Sequence, residues 1–232
     1  MKTMGRQRRY MASDKMSDLV TWNYRVLLSM SRFGIGLGFG DKTIGEVCAD
    51  NGVDTGTFLA VADMMLNGGD AGEYEVSPGS LVMYLHNSHD YFLDFRLPKI
   101  RRDLVEILGH PQDDLTKAVV DYFDEYASEV RRHMMYEEKT VFPYVRSLLK
   151  GERNGKYSIS IFQKHHDQVE ERLREFKQIL IKYYPSRSTN ELNGLLFDIF
   201  NCEYDLRSHN EIEDRLFVPV ILGLEQEILQ GK

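Results

Sequence analysis

Two stretches of this 232-residue chain share one arrangement of metal-ligating side chains. His133 to Pro143 reads HMMYEEKTVFP, with Glu137 four residues after His133. His209 to Pro219 reads HNEIEDRLFVP, with Glu213 four residues after His209. In both, an aromatic stands eight or nine residues after the His and a proline ten after it. In a helix, a four-residue step stacks two side chains on one face, roughly 6 Å apart. An imidazole and a carboxylate so placed are donors for a transition metal. Two helices presenting such pairs to a common interior supply half of a dinuclear site.

Two further segments bring His86 and the adjacent pair His165 and His166. His86 precedes His166 by 80 residues, and His133 precedes His209 by 76. Each half of the plan therefore offers one helix with a lone His and one with His-x3-Glu. A single His on an apolar stripe is ordinarily a core residue with its nitrogens satisfied. A Glu on the same stripe is costly unless it is paired or bound to metal. A purely structural network of His–Glu pairs would have to be fully satisfied twice over, with the same spacing. Four imidazoles and two carboxylates suit iron, with manganese or zinc open on ligand type. If each Glu bridges both ions and an oxygen joins them, each ion gains about five ligands, leaving room for a small molecule at a sixth position.

The elements that must hold these residues are long amphipathic helices. Apolar residues at three- and four-residue steps predict one from about 81 to 108 on Val82, His86, Leu93, Leu97, Ile100, Leu104 and Ile107, bent at Pro98. A second spans about 113 to 149 on Val120, Phe123, Tyr126, Val130, His133, Glu137, Val141, Tyr144 and Leu148. A third spans about 158 to 184, and a fourth about 189 to 229 with His209 and Glu213 on its apolar face. Gly109, Pro111, Gly151, Gly155 and Pro185 mark short connections. The expected fold is all-α, an antiparallel up-down-up-down four-helix bundle over 80–232.

Ahead of the bundle, residues 14–68 predict a small helical domain, after a flexible basic arm over 1–13 and before a linker over 69–79 rich in Gly and acid. A helix is expected over Leu19–Ser31, and the Gly-rich FGIGLGFGDK (33–42) is expected to be irregular. Thr43 and Glu46 fit a capping box, and Asn51-Gly52 a turn before a helix reaching Met65. That helix-turn-helix outline does not suit nucleic acid. Between Asp41 and Glu75 stand eight acids and one base, Lys42.

Composition sets the remaining bounds. A net charge of -7 argues against nucleic acid as the main partner. Cys48 and Cys202 make no metal-type spacing and no disulfide framework. No run approaches the roughly 18 apolar residues of a membrane span. The basic N-terminus lacks the apolar core of a signal peptide, so a cytoplasmic location is expected, with no membrane partner. The chain is expected to be a monomer or homodimer.

LHNSHD around His86, HMMYEEKTVFP, HHD at His166 and SHNEIEDRLFVP resemble the hemerythrin-like (HHE cation-binding) family. Within it they are most similar to the di-iron repair-of-iron-centres branch. The resemblance implies two non-haem iron ions, oxo- and carboxylate-bridged, held by His86, His133, Glu137, His166, His209 and Glu213. It prefers His86 over His89 and His166 over His165, leaving His89 beside the ligands or at the entrance. Oxygen-carrying relatives use a further His four residues after the third-helix His. Glu170 stands there in this chain, which makes reversible oxygen carriage less suited; Glu170 is then an extra ligand, a base beside the ligands, or a solvated residue. The branch implies a response to nitrosative or oxidative stress, in which damaged iron–sulfur clusters are repaired or supplied with iron. The alternatives are an oxygen or nitric oxide sensor, and a nitric oxide or peroxide reductase. The N-terminal unit resembles the branch's small helical domain, but Gly38 and Phe39 occupy the place of its adjacent cysteines.

Overall fold

The structure, a computed structural model, describes residues 9–66, 74–108, 114–152, 157–164, 167–184 and 190–230, with side chains of 163–170 excepted. Every regular element among them is helical. By chain order these are α1 (Met16–Trp22), α2 (Val26–Arg32), α3 (Ile44–Asp50), α4 (Thr55–Leu66), α5 (Pro78–Asp90), α6 (Leu97–Leu108), α7 (Asp114–Tyr136), α8 (Phe142–Leu148), α9 (Asp167–Tyr183), α10 (Asn190–Ile212) and α11 (Val218–Leu229). A 3-10 turn covers Ile159–Lys164. The all-α expectation stands. The chain folds as two compact units, one of residues 1–87, 145–156 and 211–232, the other of 88–144 and 157–210.

The second unit is a four-helix bundle. Phe92, Leu93, Leu97, Ile100 and Leu104 from the first helix meet Val119, Phe123, Tyr126, Val130 and Met134 from α7. Leu173, Phe176 and Leu180 of α9 and Leu195, Ile199, Cys202 and Leu206 of α10 complete that core. Neighbours run antiparallel, as short connections require. Arg101 of α6 pairs with Asp124 of α7, while Leu93 lies opposite Arg131. Tyr122 of α7 meets Glu175 of α9, while Glu129 pairs with Arg172. Burying aromatics such as Phe92, Phe123 and Phe176, each fully excluded from water, contributes roughly 2–3 kcal/mol apiece.

Three of the long helices contain one widened π turn: Tyr91–Arg96, Glu137–Val141 and Glu213–Phe217. Each ends two residues before a proline, at Pro98, Pro143 and Pro219. The cause is the ring. Proline has no N–H to give its helix, and it crowds the carbonyl four residues back. The helix widens instead, so Leu97 N–H reaches Phe92 O, Phe142 N–H reaches Glu137 O, and Val218 N–H reaches Glu213 O, each five residues back. At the first turn this leaves Leu93 O without its usual helical donor, and Arg131 of α7 donates to it from Nη2 at 3.4 Å. Pro98 thus widens the helix where a bend was expected.

In the first unit, Thr43 caps α3 with the reciprocal box the sequence announced: Glu46 N–H donates to Thr43 Oγ1, and Thr43 N–H to Glu46 Oε2. The expected helix over Leu19–Ser31 is instead two, α1 and α2, with Asn23 in extended backbone between them. Asn23 Oδ1 accepts from Arg25 N–H, a local turn that competes with helix. The Gly-rich 33–42 segment is irregular, with Gly34, Gly38 and Gly40 at positive φ. Residues 74–77 lie across α4: Ser77 N–H donates to Thr57 Oγ1, and Tyr74 Oη contacts the buried Asp63 carboxylate at 3.0 Å. Asn87 of α5 donates from Nδ2 to Arg32 O at the end of α2, at 2.6 Å.

Candidate metal centre

Glu137 opens the second π turn and Glu213 the third, each four residues after a His of the same continuous helix. His89 lies two residues before the first. Widened turns of this kind recur at functional sites because they re-aim side chains within a helix. Here they coincide with a convergence. His89, Glu137, His209 and Glu213 are all buried and each offers one ligand atom, these atoms lying within 4.8 Å of one another. His89, Glu137 and His209 belong to the second unit, and Glu213 follows His209 by one turn of its own helix.

The geometry is tightest around Glu137. Its Oε1 lies 3.0 Å from His133 Nε2, and its Oε2 lies 3.1 Å from His89 Nε2. Burial pushes the Glu137 carboxyl up, but the two imidazoles outweigh it and hold the carboxyl well below the usual carboxylate range. The residue is fully excluded from solvent yet anionic, as a ligand must be. His89 is packed on several sides. Its ring stacks on Phe142 at 5.4 Å between centroids, meets the edge of His209 at 5.3 Å, and its Nδ1 lies 2.7 Å from Glu138 Oε1. Phe92 stands edge-on to His209 at 5.8 Å, and Phe162 is parallel to His133 at 6.4 Å. Apolar walls around a polar centre exclude water and strengthen the electrostatics inside it.

Of the six ligands expected from sequence, Glu137, His209 and Glu213 are in the four-residue group, and His133 touches it through Glu137. His86 is half-buried and lies outside the group, whereas His89, expected only nearby, is inside. His165 and His166 lie outside the described residues, as does the side chain of Glu170. Glu138 was not among the expected site residues; the doubled Glu in HMMYEEK was the signal available for it. Cys202 is a buried member of the bundle core.

The donor set fits a cation. Two carboxylates and two imidazoles converge with no Lys or Arg among them, in the mix that first-row metals favour. The sequence model of the hemerythrin HHE cation binding domain matches residues 80–221, more than half of the chain. The chain belongs to that family and is a metal-binding protein. No curated protein matches it. Among the described residues no helix is long and apolar enough to cross a membrane.

Proposed function

We propose that this chain is a non-haem iron protein of the nitrosative and oxidative stress response, and that it supplies iron to damaged iron–sulfur clusters or reactivates them. The single observation that carries the metal half is Glu137, one buried carboxylate with an oxygen against each of two imidazoles from different helices. That disposition places one buried anionic group within reach of two imidazole donors. His89, Glu137, His209, Glu213 and His133 would hold the iron, with His166 as the expected further donor. Iron, when bound there, would supply redox change and affinity for dioxygen, nitric oxide or peroxide. The protein's own groups do the rest. Glu137 and Glu213 bring negative charge, Phe92, Phe142 and Phe162 keep water from the centre, and the bundle fixes the spacing of the donors. Support for the repair role is the resemblance of the bundle motifs and of the helical unit before them to the repair branch.

The test is transfer of iron from the reconstituted protein to an apo cluster protein. Transfer is expected for the wild type and lost in His133→Ala. Equal transfer by both would remove the repair reading. Sensing is the second reading, and one contact favours it. Asn87 holds the end of α2 two residues before His89, so a movement of α5 would be felt by the N-terminal helices. Reversible binding of oxygen or nitric oxide without iron transfer is the outcome expected under that reading.

A further inference from the structure

The Glu137–Glu138 pair meets a single imidazole. Glu137 Oε2 is 3.1 Å from Nε2 of His89, and Glu138 Oε1 is 2.7 Å from Nδ1. Phe142, four residues after Glu138, lies parallel to the same ring, with an interplanar angle of 10°. One stretch of helix therefore grips His89 at both nitrogens and on one face. The two carboxylates differ in surroundings. Glu137 is fully buried within the ligand group, while the Glu138 side chain keeps 19% of its surface exposed and lies outside the group.

We propose that Glu138 is a positioning residue that fixes the orientation of His89 by accepting a hydrogen bond from Nδ1–H, so that Nε2 is the nitrogen offered to the metal. The inference rests on the metal-binding reading above. A neutral imidazole has one protonated nitrogen, and only the bare one can ligate. A carboxylate at 2.7 Å from Nδ1 accepts a hydrogen there and cannot donate one, which keeps the hydrogen on that side; the Glu137 oxygen, at a longer 3.1 Å from Nε2, competes less strongly for it. Phe142 then prevents the ring from turning over to exchange its nitrogens. A carboxylate behind a ligating imidazole also makes the imidazole a better donor, and losing one generally costs ten- to a hundredfold in metal affinity.

The test has two arms. In metal-free protein, nitrogen-15 NMR of the His89 ring, assigned by its loss in His89→Gln, is expected to show a hydrogen on Nδ1. In Glu138→Ala that preference is expected to vanish, and Glu138→Gln, whose amide oxygen still accepts, is expected to retain it. In the second arm zinc(II), a diamagnetic probe, is titrated into each form. Glu138→Ala is expected to bind about 10- to 100-fold more weakly than wild type, with Glu138→Gln in between. Thermal melts of all forms show whether each variant is folded. A bare Nδ1 in the wild type, or unchanged zinc affinity in folded Glu138→Ala, overturns the proposal. A wild type that binds no zinc or iron removes the metal reading and this proposal with it. The nitrogen signals, read without metal, separate that failure from a failure of Glu138 to orient the ring.

Discussion

Glu137 joins His89 to His133: one oxygen of its carboxylate lies 3.1 Å from the first imidazole, the other 3.0 Å from the second. The two histidines sit on different helices, so this single side chain ties α5 to α7 at the centre. Glu137→Gln keeps the shape and removes the charge. The variant should bind less than half the metal of the wild type when both are reconstituted anaerobically and assayed by elemental analysis. Full loading of the variant would show that the carboxylate is not a ligand.

His89 and His86 make a sharper comparison. His89→Ala should lower metal content strongly, because His89 lies within the convergent group, whereas His86 lies outside it. Metal content in His86→Ala should stay closer to wild type. The reverse order would place the site one turn earlier on α5.

The resemblance prefers His86 over His89, and the apolar stripe that also carries His86 is re-phased in the structure for a physical reason. Stepping back from Leu97 at α-helical spacing gives Leu93, then Asp90 or His89, then His86 and Val82. The π turn over Tyr91–Arg96 adds one residue to that stretch, so the buried face upstream runs through Phe92, His89, Leu85 and Leu81. The lengths and ends of the first, second and fourth long helices, the Thr43 capping box and the His-x3-Glu pairs are all local in origin, and all were legible; the third, expected from about 158, starts at Asp167 after a 3-10 turn over Ile159–Lys164. The widened turns were not. They arise from prolines that helices tolerate in several ways, by bending, breaking or widening, and nothing in the pattern selects among them.

Cys48 gives a pH dependence. Burial pushes its thiol up to about 11, against an ordinary value of 9.0. The unfolded chain therefore loses this proton before the folded chain does. Folded stability from this group is fully present below about pH 9 and is lost as pH rises through about 11, with a slope of at most about 1.4 kcal/mol per pH unit. Cys48→Ala should flatten that alkaline limb in denaturant titrations, whatever it does to stability at neutral pH. The same burial should make Cys48 slow to alkylate at pH 8.

Gly56 tests how the 74–77 segment is seated. A methyl group there would run into the carbonyl of Glu75, a backbone atom that cannot swing aside. Gly56→Ala should lower the melting temperature and speed proteolysis between residues 66 and 78. Gly52→Ala should also destabilise, by about 1 kcal/mol, through its positive φ, but without that proteolytic signature.

Arg131 donates to the carbonyl that Pro98 orphans, at Leu93 O. Arg131→Met keeps the aliphatic stem and removes the donor. A loss of about 1 kcal/mol is expected in chemical denaturation, and Pro98→Ala in the same background should recover part of it by restoring an N–H. No recovery would mean the carbonyl finds another donor.

The prolines at 98, 143 and 219 each follow a widened turn, and each turn lies at or just beyond a residue of the metal group. Every such turn works as a one-notch gear, rotating the remainder of its helix by about 100° relative to an uninterrupted one. The donors and the helix beyond them are thereby clocked independently. Side chains past each proline can be reshuffled to suit a new neighbour while the donors keep their aim, so variation in this protein should concentrate downstream of those three positions.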